Sequence, residues 1–199
     1  MPNDLISNHG AAKVSRLIPL EFCQFLTHVL MRKSLEGAQG DIQCPNAKAI
    51  MVHDVILDTV LERLWPTVEK IAGTELLPTY AYARLYTNGD KLEKHVDRSS
   101  CEISMTVQLA RSHNWVYPIY MGDKEYNLDE GEAVIYDACN LEHWRDECAG
   151  PEGYYSGQLF LHYVRKNGEF SNHAGDPEFR PDKKPAEFEK FRTALMELK

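Results

Sequence analysis

The chain has 199 residues, 43% of them hydrophobic and 26% charged, which suffices for one domain with a sizeable core. A formal charge of −8 argues against broad affinity for nucleic acid, and no apolar run approaches the roughly 20 residues that span a bilayer. Five scattered cysteines (Cys23, Cys44, Cys101, Cys139, Cys148) contain no Cys-x-x-Cys pair, so neither a disulfide framework nor a zinc ribbon is suggested.

The opening Met1-Pro2-Asn3-Asp4 lacks the basic-then-apolar pattern of a signal peptide, so a soluble cytoplasmic protein with reduced thiols is expected. The first fifteen residues read as a loosely held polar arm. A helix is predicted from Pro19, because proline suits the first helical position, with Phe22, Phe25, Leu26, Val29 and Leu30 at helical spacing. Glycines at 37 and 40 punctuate it. A second helical run is predicted over residues 47–64, with Ile50, Ile56, Val60, Leu61 and Leu64 among its apolar positions. Pro66 should kink or end that run, and Gly73 should stop any continuation.

The texture changes at Pro78. Residues 80–86 alternate large with small side chains, the period of a strand. Asn88-Gly89 is the strongest hairpin signal in the chain, and residues 91–97 read as the next strand. Residues 102–109 alternate without a break: Ile103, Met105, Val107 and Leu109 on one face, Glu102, Ser104, Thr106 and Gln108 on the other. Further strands are predicted at 115–120, 133–137, 143–145 and 155–164, separated by turns at Gly122-Asp123, Asp129-Glu130-Gly131 and Gly150-Pro151. Many short strands with close turns indicate a sandwich or barrel rather than a βαβ sheet. A polar loop over 167–185 then leads to a short amphipathic helix carrying Phe188, Phe191, Leu195 and Leu198. The fold class read from this is α+β with a mainly β core. One domain spans 1–199: helical support over about 16–73, a barrel over about 78–165, and a C-terminal loop and helix over 166–199.

His95 and Asp97 stand two apart on a predicted strand, so an imidazole and a carboxylate leave the same face. His-x-Asp alone is a common pattern. It gains weight from its place after a turn and from His143, which follows several strands later and is the best third ligand. Two histidines and one carboxylate on one face leave three coordination positions open, the geometry of non-haem Fe(II) oxygenases.

The text Ala83-Arg-Leu-Tyr86-Thr-Asn-Gly89-Asp-Lys-Leu-Glu-Lys-His95-Val-Asp97, the strand Ile103-to-Leu109, and Gly131-Glu-Ala-Val-Ile-Tyr136 followed by His143 resemble the 2-oxoglutarate/Fe(II)-dependent dioxygenases, particularly their prolyl 4-hydroxylase-like branch. The resemblance covers roughly residues 80–165. It implies a double-stranded β-helix (a jelly-roll or cupin-like barrel), with helices before and after it and the metal at its open end. It also implies Fe(II) held by His95, Asp97 and His143, 2-oxoglutarate and O₂ as co-substrates, and ascorbate as an accessory reductant. The implied reaction hydroxylates a C–H bond, with succinate and CO₂ released. A prolyl residue of a protein or peptide is the favoured substrate, and a small molecule such as an amino acid is the alternative.

The distal carboxylate of 2-oxoglutarate calls for a cation, ideally a guanidinium. In most relatives that residue lies nine to twelve positions beyond the second histidine. Here those positions hold Glu152, Gly153, Tyr154 and Tyr155, none of them basic. Arg145 is the best replacement, since two residues after His143 it shares that ligand's face, although it could instead pair at the surface with Asp146 or Glu147. Arg84 is a second candidate. Tyr86 could offer its phenol to the co-substrate or be a core tyrosine, and Gln108 and Gln158 could donate further hydrogen bonds or lie exposed. His53, His113, His162 and His173 read as packing, turn or reserve histidines. Trp144, Tyr117 and Tyr120 are candidates for a substrate cleft or for core, and the Asp182-Lys-Lys-Pro run for a solvated loop. Two other classes stay open. One is a non-catalytic metal-binding barrel; the other is a zinc hydrolase using Glu142 or Glu93 as base.

Overall fold

The computed structural model describes residues 10–37, 40–182, 190 and 192–194. Ten strands and two longer helices are found among them: β1 (Ala11–Val14), α1 (Leu20–Leu35), β2 (Ala49–Val52), α2 (Val55–Ala72), β3 (Leu76–Thr87), β4 (Leu92–His95), β5 (Ile103–Arg111), β6 (Ile119–Met121), β7 (Lys124–Tyr126), β8 (Ala133–Asp137), β9 (His143–Arg145) and β10 (Tyr155–Arg165). They form a six-stranded sheet in the order β1-β8-β5-β10-β3-β2 and a four-stranded sheet in the order β4-β9-β6-β7. Every described pairing is antiparallel, and the two sheets are the walls of a double-stranded β-helix.

Side-chain alternation explains how the larger sheet is used. Ala81, Ala83, Ile103, Met105, Val107, Leu109, Leu159 and Leu161 join one buried core with Leu26 and Leu30 of α1 and Leu57, Leu61 and Trp65 of α2. Ala81 and Ala83 on β3 leave room for the helices, while the alternate residues Tyr82 and Tyr86 join a separate buried cluster on the other face. The polar face of β5 is not solvated: Ser104, Thr106 and Gln108 are as buried as their apolar neighbours. At Gly157 an added Cβ would stand 2.8 Å from Thr27 Oγ1, so the missing side chain lets α1 lie close on the sheet.

Several expectations are corrected. The N-terminal arm is a strand from Ala11, paired in register with β8 (Ala11 with Tyr136) at the sheet edge. The run 47–64 is not one helix: residues 49–52 pair with β3, and α2 begins only after Asp54, whose carboxylate accepts from Ile56 N at 2.9 Å. An edge pairing and an N-cap there override the helical periodicity. Pro66 does not end α2. Trp65 and Val68 on either side are wholly buried, and Trp65 Nε1 donates to Leu76 O, so packing carries the helix through to its left-handed cap at Gly73. Phe25, expected in the core, is 50% exposed, and Cys23 and Thr27 are buried on that helix instead.

The Asn88-Gly89 turn makes no hairpin. β3 pairs with β10 and β2 while β4 pairs with β9, so the turn carries the chain from one sheet to the other. Asp90 fixes it by accepting from Thr87 N at 2.6 Å. Most of the 115–120 stretch is irregular, and its end, β6, pairs across Gly122 with β7, a strand that residue pattern does not signal. The C-terminal helix lies largely outside the described residues; Arg192 there pairs with Glu69 at 2.6 Å.

Candidate metal centre

The short β4–β9 pairing creates the site. Its register sets His95 directly opposite His143, with the two rings 4.3 Å apart. Asp97 lies beyond the end of β4 rather than on it, and its backbone N–H donates to Ala138 O at 2.8 Å. That bond ties it to the loop leading into β9. The Asp97 Oδ1 atom stands 3.4 Å from His95 Nε2 and 3.6 Å from His143 Nε2. One ligand atom from each residue falls within 4.8 Å of the other two.

Hydrogen bonding fixes which nitrogen each ring presents. His95 Nδ1 meets Glu93 O at 2.7 Å and His143 Nδ1 meets Leu141 O at 3.0 Å, so both Nδ1 atoms carry the proton and both Nε2 lone pairs turn inward. A backbone carbonyl on the far nitrogen is what orients a metal-binding imidazole. Burial works to raise the Asp97 carboxyl, but the hydrogen bond with His95 and the nearby His143 and His162 outweigh it and hold it below its ordinary range. Burial lowers His143, which favours the neutral, ligating form. Burial works to lower His95, but its hydrogen bonds with Asp97 and the Glu93 carbonyl outweigh it and raise it, so a metal there would displace a proton from that ring. With both imidazoles deprotonated, they and the ionised carboxylate fit a divalent cation of the Fe(II) type. Glu142 and Glu93 point elsewhere, to Lys94 at 2.9 Å and Lys91 at 2.9 Å, which leaves the hydrolase alternative without its base.

Deeper in the barrel lie two guanidinium groups. Arg145 is 1% exposed, not a surface residue, and meets none of the expected carboxylates. One Nη donates to Tyr117 O and Pro118 O, and the group lies 5.4 Å from the Tyr86 ring and 5.0 Å from that of Tyr117. Among the described residues no carboxylate pairs with it. Arg84 is wholly buried, 5.3 Å from the Tyr86 ring, donating to Tyr86 Oη at 2.7 Å and pairing with Asp41. The Nε of each arginine is buried with no hydrogen-bond partner. Gln108 and Gln158 are buried rather than exposed, and are directed at one another and at Ser156.

A cavity of about 450 Å³ opens beside the triad, lined among others by Asp97, Tyr80, Tyr82, Cys101 and His162. Tyr82 stacks on Phe160 at 4.3 Å and on His162 at 5.6 Å, forming an aromatic wall. Trp144 and Tyr120 do not line this cavity; they stack on each other at 5.4 Å on the opposite face of β9 from His143. Tyr117 belongs to the buried cluster around Tyr86. His53 pairs with Asp176, His113 sits in a turn at φ 60, and His173 lies in a short 3-10 turn; none joins the triad. Asp41, Tyr80 and Cys101 were not singled out by sequence. His162, read from the sequence as a packing or reserve histidine, is buried and lines this cavity.

No protein-family profile and no curated protein sequence matches this chain. Its fold is nevertheless that of the 2-oxoglutarate/Fe(II) oxygenases. It is similar to a prolyl-4-hydroxylase from Pseudomonas putida, with a TM-score of 0.61, 15% identity, and 81% of this chain and 95% of that one covered. A second is a prolyl hydroxylase from Trichoplax adhaerens in complex with a hypoxia inducible factor peptide fragment (TM-score 0.60, 9% identity, coverage 79% and 84%). A third is EctD from S. alaskensis with 2-oxoglutarate and 5-hydroxyectoine (TM-score 0.57, 14% identity, coverage 78% and 72%). No helix among the described residues is long and apolar enough to cross a membrane.

Proposed function

We propose that this chain is an Fe(II)- and 2-oxoglutarate-dependent dioxygenase that hydroxylates a C–H bond of its substrate. The observation that carries this reading is the cross-strand pair His95 and His143 with Asp97, both rings held by backbone carbonyls so that Nε2 faces the carboxylate. Iron bound there, with 2-oxoglutarate and O₂ as co-substrates, supplies the oxidising power, and succinate and CO₂ are the accompanying products.

The chain's own residues bind and orient. Arg145, buried and without a carboxylate partner among the described residues, anchors the distal carboxylate of 2-oxoglutarate, since an unpaired buried cation is stabilised by an arriving anion. Arg84 and Tyr86 frame the same space from β3. Tyr82 and Phe160 exclude water from the barrel side of the metal. The substrate enters through the cavity next to Asp97, whose rim carries Val52 and Val96, 49% and 48% exposed. An apolar rim favours a prolyl side chain of a peptide, the substrate class named for the Pseudomonas putida enzyme.

The test is succinate release from 2-oxoglutarate, measured with and without Fe(II) and O₂ on the full chain. Release that needs both, and that disappears in His95→Ala and Asp97→Ala proteins of unchanged circular dichroism, is the expected result. Full activity in His95→Ala overturns the metal assignment. Metal binding with no 2-oxoglutarate binding or turnover makes the barrel a non-catalytic metal binder. Prolyl peptides and free amino acids offered as substrates separate the two substrate classes by the mass gain of one oxygen atom.

A further inference from the structure

The geometry points to a second cation site adjoining the triad, formed by Asp97, Cys101 and His162 and suited to a thiophilic divalent metal such as Zn²⁺. One ligand atom from each of these residues lies within 4.8 Å of the other two. All three line the same cavity. His162 is 2% exposed, and its Nε2 is buried with no hydrogen-bond partner. A buried nitrogen in that state costs free energy unless a ligand meets it.

The surroundings of each donor are those of a ligand held in place. His162 Nδ1 meets Ser104 Oγ at 2.7 Å, which fixes the ring by its far nitrogen as Glu93 O and Leu141 O fix the rings of the triad. The Tyr80 hydroxyl stands 3.2 Å from Cys101 Sγ, placed to donate to the sulfur once it is bound as thiolate. Asp97 has an oxygen for each site. Oδ1 faces His95 and His143, while Oδ2 turns toward Ser104 Oγ at 3.4 Å, and that hydroxyl also reaches Cys101 O at 3.0 Å.

Donor softness selects the metal. Sulfur with imidazole and one carboxylate favours zinc over magnesium or calcium, which prefer oxygen alone. Binding replaces the thiol S–H bond by a metal–sulfur bond and releases one proton to solvent, with no change in oxidation state. The inference rests on the triad reading only through the shared Asp97.

Cobalt(II) titrated anaerobically into the full chain tests it, because a thiolate ligand gives cobalt a sulfur-to-metal charge-transfer band that the triad alone cannot produce. The wild-type protein should bind two equivalents and show that band. Cys101→Ser, with Cys101→Ala as a second variant should the first fold poorly, should lose the band and one equivalent. His143→Ala should lose the other equivalent and keep the band. A wild-type protein that binds one equivalent without the band overturns the second site, as does a band that survives both Cys101 variants. Failure of the triad reading looks different: the band is present, and His143→Ala leaves the stoichiometry unchanged.

Discussion

Arg84 and Arg145 bring the same functional group into the same barrel, yet their partners give them different chemistry. Arg84 already holds Asp41, whereas Arg145 has only carbonyls and aromatic faces around it. Arg145→Ala should therefore raise the KM for 2-oxoglutarate by about 10- to 100-fold, the worth of a charge-assisted hydrogen bond, with a smaller change in kcat. Arg145→Lys should recover part of the loss. Steady-state kinetics against 2-oxoglutarate check this, and a larger KM effect from Arg84→Ala would move the anchor to β3. Residue patterns brought both arginines to notice through strand alternation. They could not tell that Arg145 is buried, because Asp146 and Glu147 follow it immediately and make an exposed ion pair look just as natural.

Among elements, β1 shows how a stretch too short to signal a strand becomes part of the fold. Ala11 is buried in one apolar cluster and Ala12 and Val14 pack against another, while the backbone completes the edge of β8, the strand that carries Tyr136 against the His143 ring at 4.9 Å. Lys13 adds an ion pair with Glu132 at 2.6 Å. Burial tends to raise the Glu132 carboxyl, but Lys13 and the backbone N–H of Asp129 outweigh it, so its folded pKa is lowered. A lowered carboxyl pKa stabilises the fold above the ordinary carboxylate range and loses that effect as pH falls through the folded value. Glu132→Gln should thus cost up to about 1 kcal/mol at pH 7, given the exposure of Lys13, and progressively less as pH falls below the ordinary carboxylate range. Denaturant unfolding at pH 7 and at stepwise lower pH measures it; a cost independent of pH would rule out the ion pair as the cause. The same lesson applies to β2. Residues 49–52 carry a helix-like pattern, and only a free edge on β3 makes them a strand.

At the scale of the molecule, a divalent metal that binds the folded barrel and not the unfolded chain must stabilise it by mass action, by about 2.7 kcal/mol at one hundred times Kd. For a chain near this size that corresponds to a rise in Tm of roughly 5–10 °C. Thermal unfolding with Mn(II) or anaerobic Fe(II) should show the rise in the wild type and lose most of it in His143→Ala. The rise should also shrink as pH falls below the histidine range, because protonated imidazoles cannot ligate. A pH-independent shift would place the metal on carboxylates elsewhere.

Local pattern by itself indicated two helices ahead of a β-rich body, the faces of β3 and β5, and the nearness of His95 to Asp97, since each depends on residues a few positions apart; it did not show β1 and β2, which stand before and between those helices. It also made His143 the best candidate for a third ligand through its position and a family likeness, with no sight of the partner strand. Tertiary structure alone decided that β4 and β9 align His95 with His143, that Arg145 is sealed under Tyr86 and Tyr117, and that Asp41 reaches Arg84. It alone placed Cys101 and His162 beside Asp97. The reason is physical. Strand register and burial are set by pairing across many intervening residues, where the sum of cross-strand contacts chooses one alignment and no short stretch carries the information.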